Sequence, residues 1–158
     1  MSLEQVAENE RFSHRLGWSL AMQKRYDDPL HVGLIQIEYN AGEVMESCFG
    51  AMDAVNKLRE VTVCLQQCFR DTDPIARFGT TFWVLVPMSQ EDPVTAKVQA
   101  VIRTAKSGGL DIEHTHVHIH RLADHSPWLK HMGCDSDQFL AYLEALEPAG
   151  VRASSLIN

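Results

Sequence analysis

A tight hairpin in residues 73–88 constrains this chain more than any other feature. Asp73 to Arg77 and Phe82 to Met88 read as short strands, and Gly79-Thr80-Thr81 between them leaves room only for a turn. Both flanks of the hairpin are helical in spacing. Glu43 to Phe69 carries helical periodicity with a break near Gly50. Asp92-Pro93 opens a further helix, with Pro93 at its first position, that runs to about Ala105 and stops at Ser107-Gly108-Gly109.

The remaining elements follow from the same signals. Leu3 to Arg25 places Phe12, Leu16 and Leu20 on one stripe, with Ser2 as N-cap, and Asp27-Asp28-Pro29 breaks the helix. HVGLIQIEY (31–39) is nearly continuous in apolar residues, as a strand flanked on both sides would be. Leu110 to Leu122 reads as a strand and Ser136 to Leu146 as a last helix, while Ser126 to Gly133 gives no clear signal. The core order is βααββαβ, which predicts an α+β sandwich: a central mixed sheet flanked by helices. The division expected is an N-terminal helix (1–26), one domain (27–148) and a loose tail (149–158).

Composition narrows the partners. A net charge of −7 over 158 residues offers no basic field for duplex nucleic acid or an anionic membrane. A small anionic ligand is still allowed, since it needs only one or two arginines. No apolar run reaches transmembrane length and no secretory leader is legible. Cys64 and Cys68, four apart on a helix, suit buried thiols better than a disulfide framework, so a reducing, cytoplasmic compartment is expected. The N-terminal stretch reads as the edge of a module from a longer chain, whose parent is free to be membrane-attached.

Order and motifs together resemble the GGDEF family, the diguanylate cyclase domains. ARFGTTFWVLVP (76–87) resembles that family's ARYGGDEFAVLLP with one residue missing, and DDPLHVGLIQIE (27–38) resembles its first-strand segment. TAKVQAVIRTA (95–105) and THVHIH (115–120) fall where the family has its next helix and strand. The resemblance implies the nucleotidyl-cyclase-like sandwich. It also implies a departure in chemistry, because the family joins two GTP molecules on Mg²⁺ held by carboxylates. Gln36 stands at the first-strand carboxylate, and Gly79-Thr80-Thr81-Phe82 replaces the acidic turn. Neutral amide and hydroxyl groups do not balance a triphosphate–Mg²⁺ site. Glu38 shares a strand face with Gln36 but sits where the family does not usually hold metal. No catalytic residue and no cofactor are therefore expected.

One motif implied by the resemblance survives. Arg70-Asp71-Thr72-Asp73 matches the RxxD of the family's inhibitory site, which binds cyclic di-GMP, and stands at the family's distance before Gly79. Arginine forks onto guanine or phosphate, and aspartate accepts from the guanine Watson–Crick edge. Arg103, on the helix after the hairpin, is the candidate second arginine. The plainer reading is a solvated turn in which Asp73 bonds local backbone. A receptor for cyclic di-GMP is the first expectation. A nucleotide-silent module that dimerises or binds an effector protein is the alternative.

The stretch HTHVHIH places His114, His116, His118 and His120 on one face of a strand, about 7 Å apart. Histidines at i and i+2 can share a zinc, copper or nickel ion, with His125 or His131 as a further ligand. The plainer reading is a polar sheet face that uses histidine in a vacated pocket and resents mild acid.

Overall fold

The computed structural model describes residues 2–26, 31–40, 44, 48–87, 96–103, 116–146 and 151–152. Helix α1 spans Leu3–Arg25, and the Ser2 hydroxyl oxygen accepts from Gln5 N at 3.1 Å, so the expected N-cap is in place. Strand β1 is Val32–Glu38, helix α2 is Ala51–Cys68, and the hairpin strands are β2 (Ile75–Phe78) and β3 (Thr81–Pro87). Residues 96–103 form α3. Strand β4 (His116–Arg121) leads through a 3-10 turn, Leu122–His125, into α4 (Ser126–Met132) and α5 (Ser136–Ala145). The limits expected for the third helix and for the strand from Leu110 fall partly outside the described residues.

The sheet order is β2-β3-β1-β4-β5, where β5 is the two-residue Val151–Arg152. Among the described residues every ladder is antiparallel, which corrects the mixed sheet expected. The reason is the hairpin. β1 and β2 run the same way, as strands joined through a helix should, but β3 is inserted between them and splits the parallel pair. β1 is flanked on both sides, as its apolar run predicted. Within the tail expected to be loose, Val151 and Arg152 pair with Val117 and His116.

Strand alternation sends two sets of side chains to opposite faces. On one face Ile35, Ile37, Phe82, Val84 and Val117 pack with Leu58, Val61 and Leu65 of α2 and Val98, Val101 and Ile102 of α3. On the other, Leu34, Trp83 and Leu85 pack with Phe12, Leu16 and Leu20 of α1, Leu129 of α4 and Phe139, Leu140 and Leu143 of α5. The stripe read from the sequence is therefore the buried stripe. Helix α1 also secures the sheet edge: Asn9 Nδ2 donates to Arg77 O at 2.9 Å and Asn9 Oδ1 accepts from Arg77 N at 3.0 Å.

Candidate functional site

The hairpin turn is closed and occupied. Gly79 has φ +64 and Thr80 a negative φ, the pattern of a turn that needs glycine first. The Thr80 hydroxyl donates to Tyr39 O at 2.8 Å, while Tyr39 N donates to Thr80 O at 3.1 Å, so the turn is sewn to the end of β1. Phe82 is fully buried and meets Tyr39 edge to face at 6.0 Å. Gln36 is also buried, and both ends of its amide are engaged, as described below.

Arg70 and Asp73 precede the hairpin, in the turn between α2 and β2. The Asp73 carboxylate accepts from Arg70 N at 3.1 Å, and Asp73 N donates to Arg70 O at 2.8 Å, so the aspartate folds its own turn. The Arg70 guanidinium has no partner among the described residues. It lines a cleft of about 310 Å³ with Glu8, Arg11, Gln66, Asp71 and Asp73. Arg11 Nη2 donates to Asp71 O, which pins α1 to the turn. Arg103 is exposed on α3 and does not line this cleft.

Glu8 and Gln66 also wall a second cavity, about 550 Å³, that reaches the hairpin at Arg77 and Gly79 and includes Arg59 of α2. Arg77 Nη1 donates to Gly79 O at 3.0 Å, but its Nε is buried without a hydrogen-bond partner. Burial, and then the neighbouring Arg59, lower the pKa of Arg77. Arg11, Arg59, Arg70 and Arg77 thus border one run of surface between α1, α2 and β2. The sequence did carry a signal for part of it: Arg59 and Gln66 are seven apart on α2, and Glu8 and Arg11 three apart on α1, each pair on one helix face.

The sheet face that packs on α1, α4 and α5 carries a chain of polar side chains across β1 and β4. His116, His118 and His120 project together, with ring centroids 6.4 Å apart for the first pair and 6.0 Å for the second, which is stacked. His114 lies outside the described residues. In register, Glu38 stands opposite His116 and Gln36 opposite His118. Gln36 Nε2 donates to Glu38 Oε1 at 2.7 Å, and Gln36 Oε1 meets His120 Nε2 at 3.0 Å. His125 lies 5.9 Å from the His120 ring and bonds the Tyr142 hydroxyl through Nδ1 at 3.0 Å.

His118 Nε2 comes within 3.3 Å of Glu38 Oε2, yet it is buried and not aligned for a hydrogen bond. One ligand atom from each of Glu38, His116 and His118 falls within 4.8 Å of the others. The further ligands expected, His125 and His131, do not join this group; the carboxylate of β1 does. Burial, then His125 and His118, push the His120 pKa down to about 4. Burial also lowers that of His125. Burial and then the Glu38 carboxylate raise that of Glu144 on α5.

Among the described residues no helix is long and apolar enough to cross a membrane. All four cysteines are free thiols. No family model matches the chain, and no curated protein matches it.

Proposed function

We propose that the chain is a catalytically inactive GGDEF-like domain that works as a receptor for cyclic di-GMP. The observation that carries this reading is the uncommitted Arg70 guanidinium, set in a cleft that continues past Glu8 and Gln66 to Arg59 and Arg77. A cyclic dinucleotide presents two phosphodiesters and two guanines. Arginine forks match both kinds of group, and two guanidinium groups that repel each other gain from an anion between them. Asp73 contributes by fixing the turn from which Arg70 projects, and one carboxylate oxygen is left for a guanine edge.

The loss of catalysis follows from residue chemistry. Gln36 is neutral and already bridges two neighbours, and the Thr80 hydroxyl is committed to Tyr39 O. Neither brings the negative charge that a nucleotide–Mg²⁺ centre requires.

Isothermal titration of cyclic di-GMP into the protein, beside Arg70→Ala, tests the receptor. Micromolar or tighter binding, weakened at least tenfold in the variant, is expected. Absence of heat at millimolar nucleotide overturns it. A second reading, a nucleotide-silent protein-contact module, is favoured by the apolar surface at the start of α2, where Phe49 is 99% and Met52 75% exposed. Sedimentation of Met52→Asp against the parent tests that reading: a lost dimer supports it, and an unchanged monomer counts against self-association.

A further inference from the structure

We propose that Glu38, His116 and His118 form a binding site for a divalent transition-metal ion, zinc foremost. The site is separate from the arginine cleft, which lies between α1 and α2 at the β2 edge of the sheet.

The register creates it. His116 and His118 are two apart on β4 and so share a face, and Glu38 is the residue of β1 directly opposite His116. Two imidazoles and one carboxylate are a donor set that zinc accepts, and three protein ligands leave a fourth position to water or an exogenous ligand. In a tetrahedral zinc site with bonds of about 2.0–2.1 Å, two ligand atoms stand about 3.3–3.4 Å apart. His118 Nε2 and Glu38 Oε2 are 3.3 Å apart. A modest side-chain rotation of half-buried His116 draws in the third ligand from within 4.8 Å.

The same atoms are poorly served without a cation. His118 is 12% exposed and its Nε2 lacks a hydrogen-bond partner. If Nε2 carries a lone pair, that pair faces an anionic oxygen and is repelled. If it carries the proton, the proton is misaligned. A metal ion between the two groups resolves either case. The other oxygen of the Glu38 carboxylate is already held: Oε1 accepts from Gln36, whose other end meets His120, so Oε2 is the oxygen left for the ion. Such an outer chain of hydrogen bonds is the usual way a ligating carboxylate is aimed.

The test uses untagged protein stripped with a chelator and titrated with zinc against a chromophoric competitor. One equivalent with micromolar or tighter affinity is expected, falling at least tenfold in Glu38→Gln and in His118→Ala and unchanged in His131→Ala, whose imidazole is exposed on α4. Absence of stoichiometric zinc in the parent, or affinity equal to the parent's in both site variants, overturns the proposal. Since either variant can disturb the sheet, cobalt(II) added to the parent gives a separate decision. Intense visible bands of a four- or five-coordinate ion support the site, and a weak spectrum like that of the solvated six-coordinate ion overturns it.

Discussion

Gln36 reaches diagonally across the β1–β4 ladder to His120, Oε1 to Nε2 at 3.0 Å, rather than to His118 directly opposite. Its amide nitrogen meanwhile donates to Glu38 Oε1 at 2.7 Å. A buried amide thus connects two strands and settles the orientation of a carboxylate and an imidazole together.

Gln36→Leu removes both bonds in a residue that is 2% exposed. His120 Nε2 then loses its acceptor inside the sheet face, and a cost of about 2–3 kcal/mol is expected. Urea unfolding at pH 7.5, with an unchanged slope and a lowered midpoint, checks it. An equally stable variant would show that the amide adds nothing net to the fold.

Acid should unfold the chelated protein earlier than its carboxylates alone explain. His120 is faced by Gln36 from β1, by His118 on its own strand, by the Trp83 ring from β3 and by His125, which in turn meets Tyr142 of α5. Burial, and then the neighbouring His125 and His118, disfavour a proton there, and its pKa falls to about 4 from the ordinary 6.5. The unfolded chain therefore takes up the proton first. Stability is complete above about pH 6.5 and declines as pH falls toward 4, by on the order of 2 kcal/mol after discounting for partial exposure. His125 titrates in the same direction. Unfolding midpoints between pH 7.5 and 4.5, compared with His120→Asn, should show the smaller slope in the variant.

Gly79→Ala isolates a backbone effect. A Cβ at this position meets nothing within 4 Å, but φ is +64. The expected cost is about 1 kcal/mol from the left-handed backbone alone, and Gly79→Asn should recover part of it. Thermal melts of the two variants check the order, and an alanine variant as stable as the parent would contradict the turn geometry.

Tyr39→Phe should stabilise. The ring is 4% exposed and its hydroxyl is buried with no hydrogen-bond partner, so burial drives the phenol pKa well up. Removing an oxygen that lost its water should raise stability by about 1 kcal/mol, because the edge-to-face contact with Phe82 is kept. A lowered melting temperature in the variant would reveal a partner for that hydroxyl.

What the sequence made legible was local. The Phe12, Leu16, Leu20 stripe, the cap at Ser2 and the apolar run of β1 each report a short-range periodicity, and each stands where that periodicity put it. The antiparallel sheet was not legible, because which strand slips between β1 and β2 is decided by packing and not by either strand's composition. Glu38 was passed over for the same reason: ligand spacing along the chain cannot show that residue 38 lies opposite residue 116. Asp73 illustrates the opposite limit, since the pattern RxxD suits a ligand and a self-bonded turn equally, and the turn uses one of its oxygens. Helix α4 is only seven residues long, too short for a periodic signal to emerge from Ser126 onward.

The pair of bonds between Asn9 and Arg77 has a consequence for assembly. A side-chain amide there imitates the next strand's backbone, satisfying both the donor and the acceptor that β2 turns outward at that residue. A second copy approaching that margin finds these groups taken, so stacking sheet on sheet through β2 is discouraged by one asparagine on a helix. Asn9 thus acts at Arg77 as a stopper against strand addition at the β2 margin of the sheet.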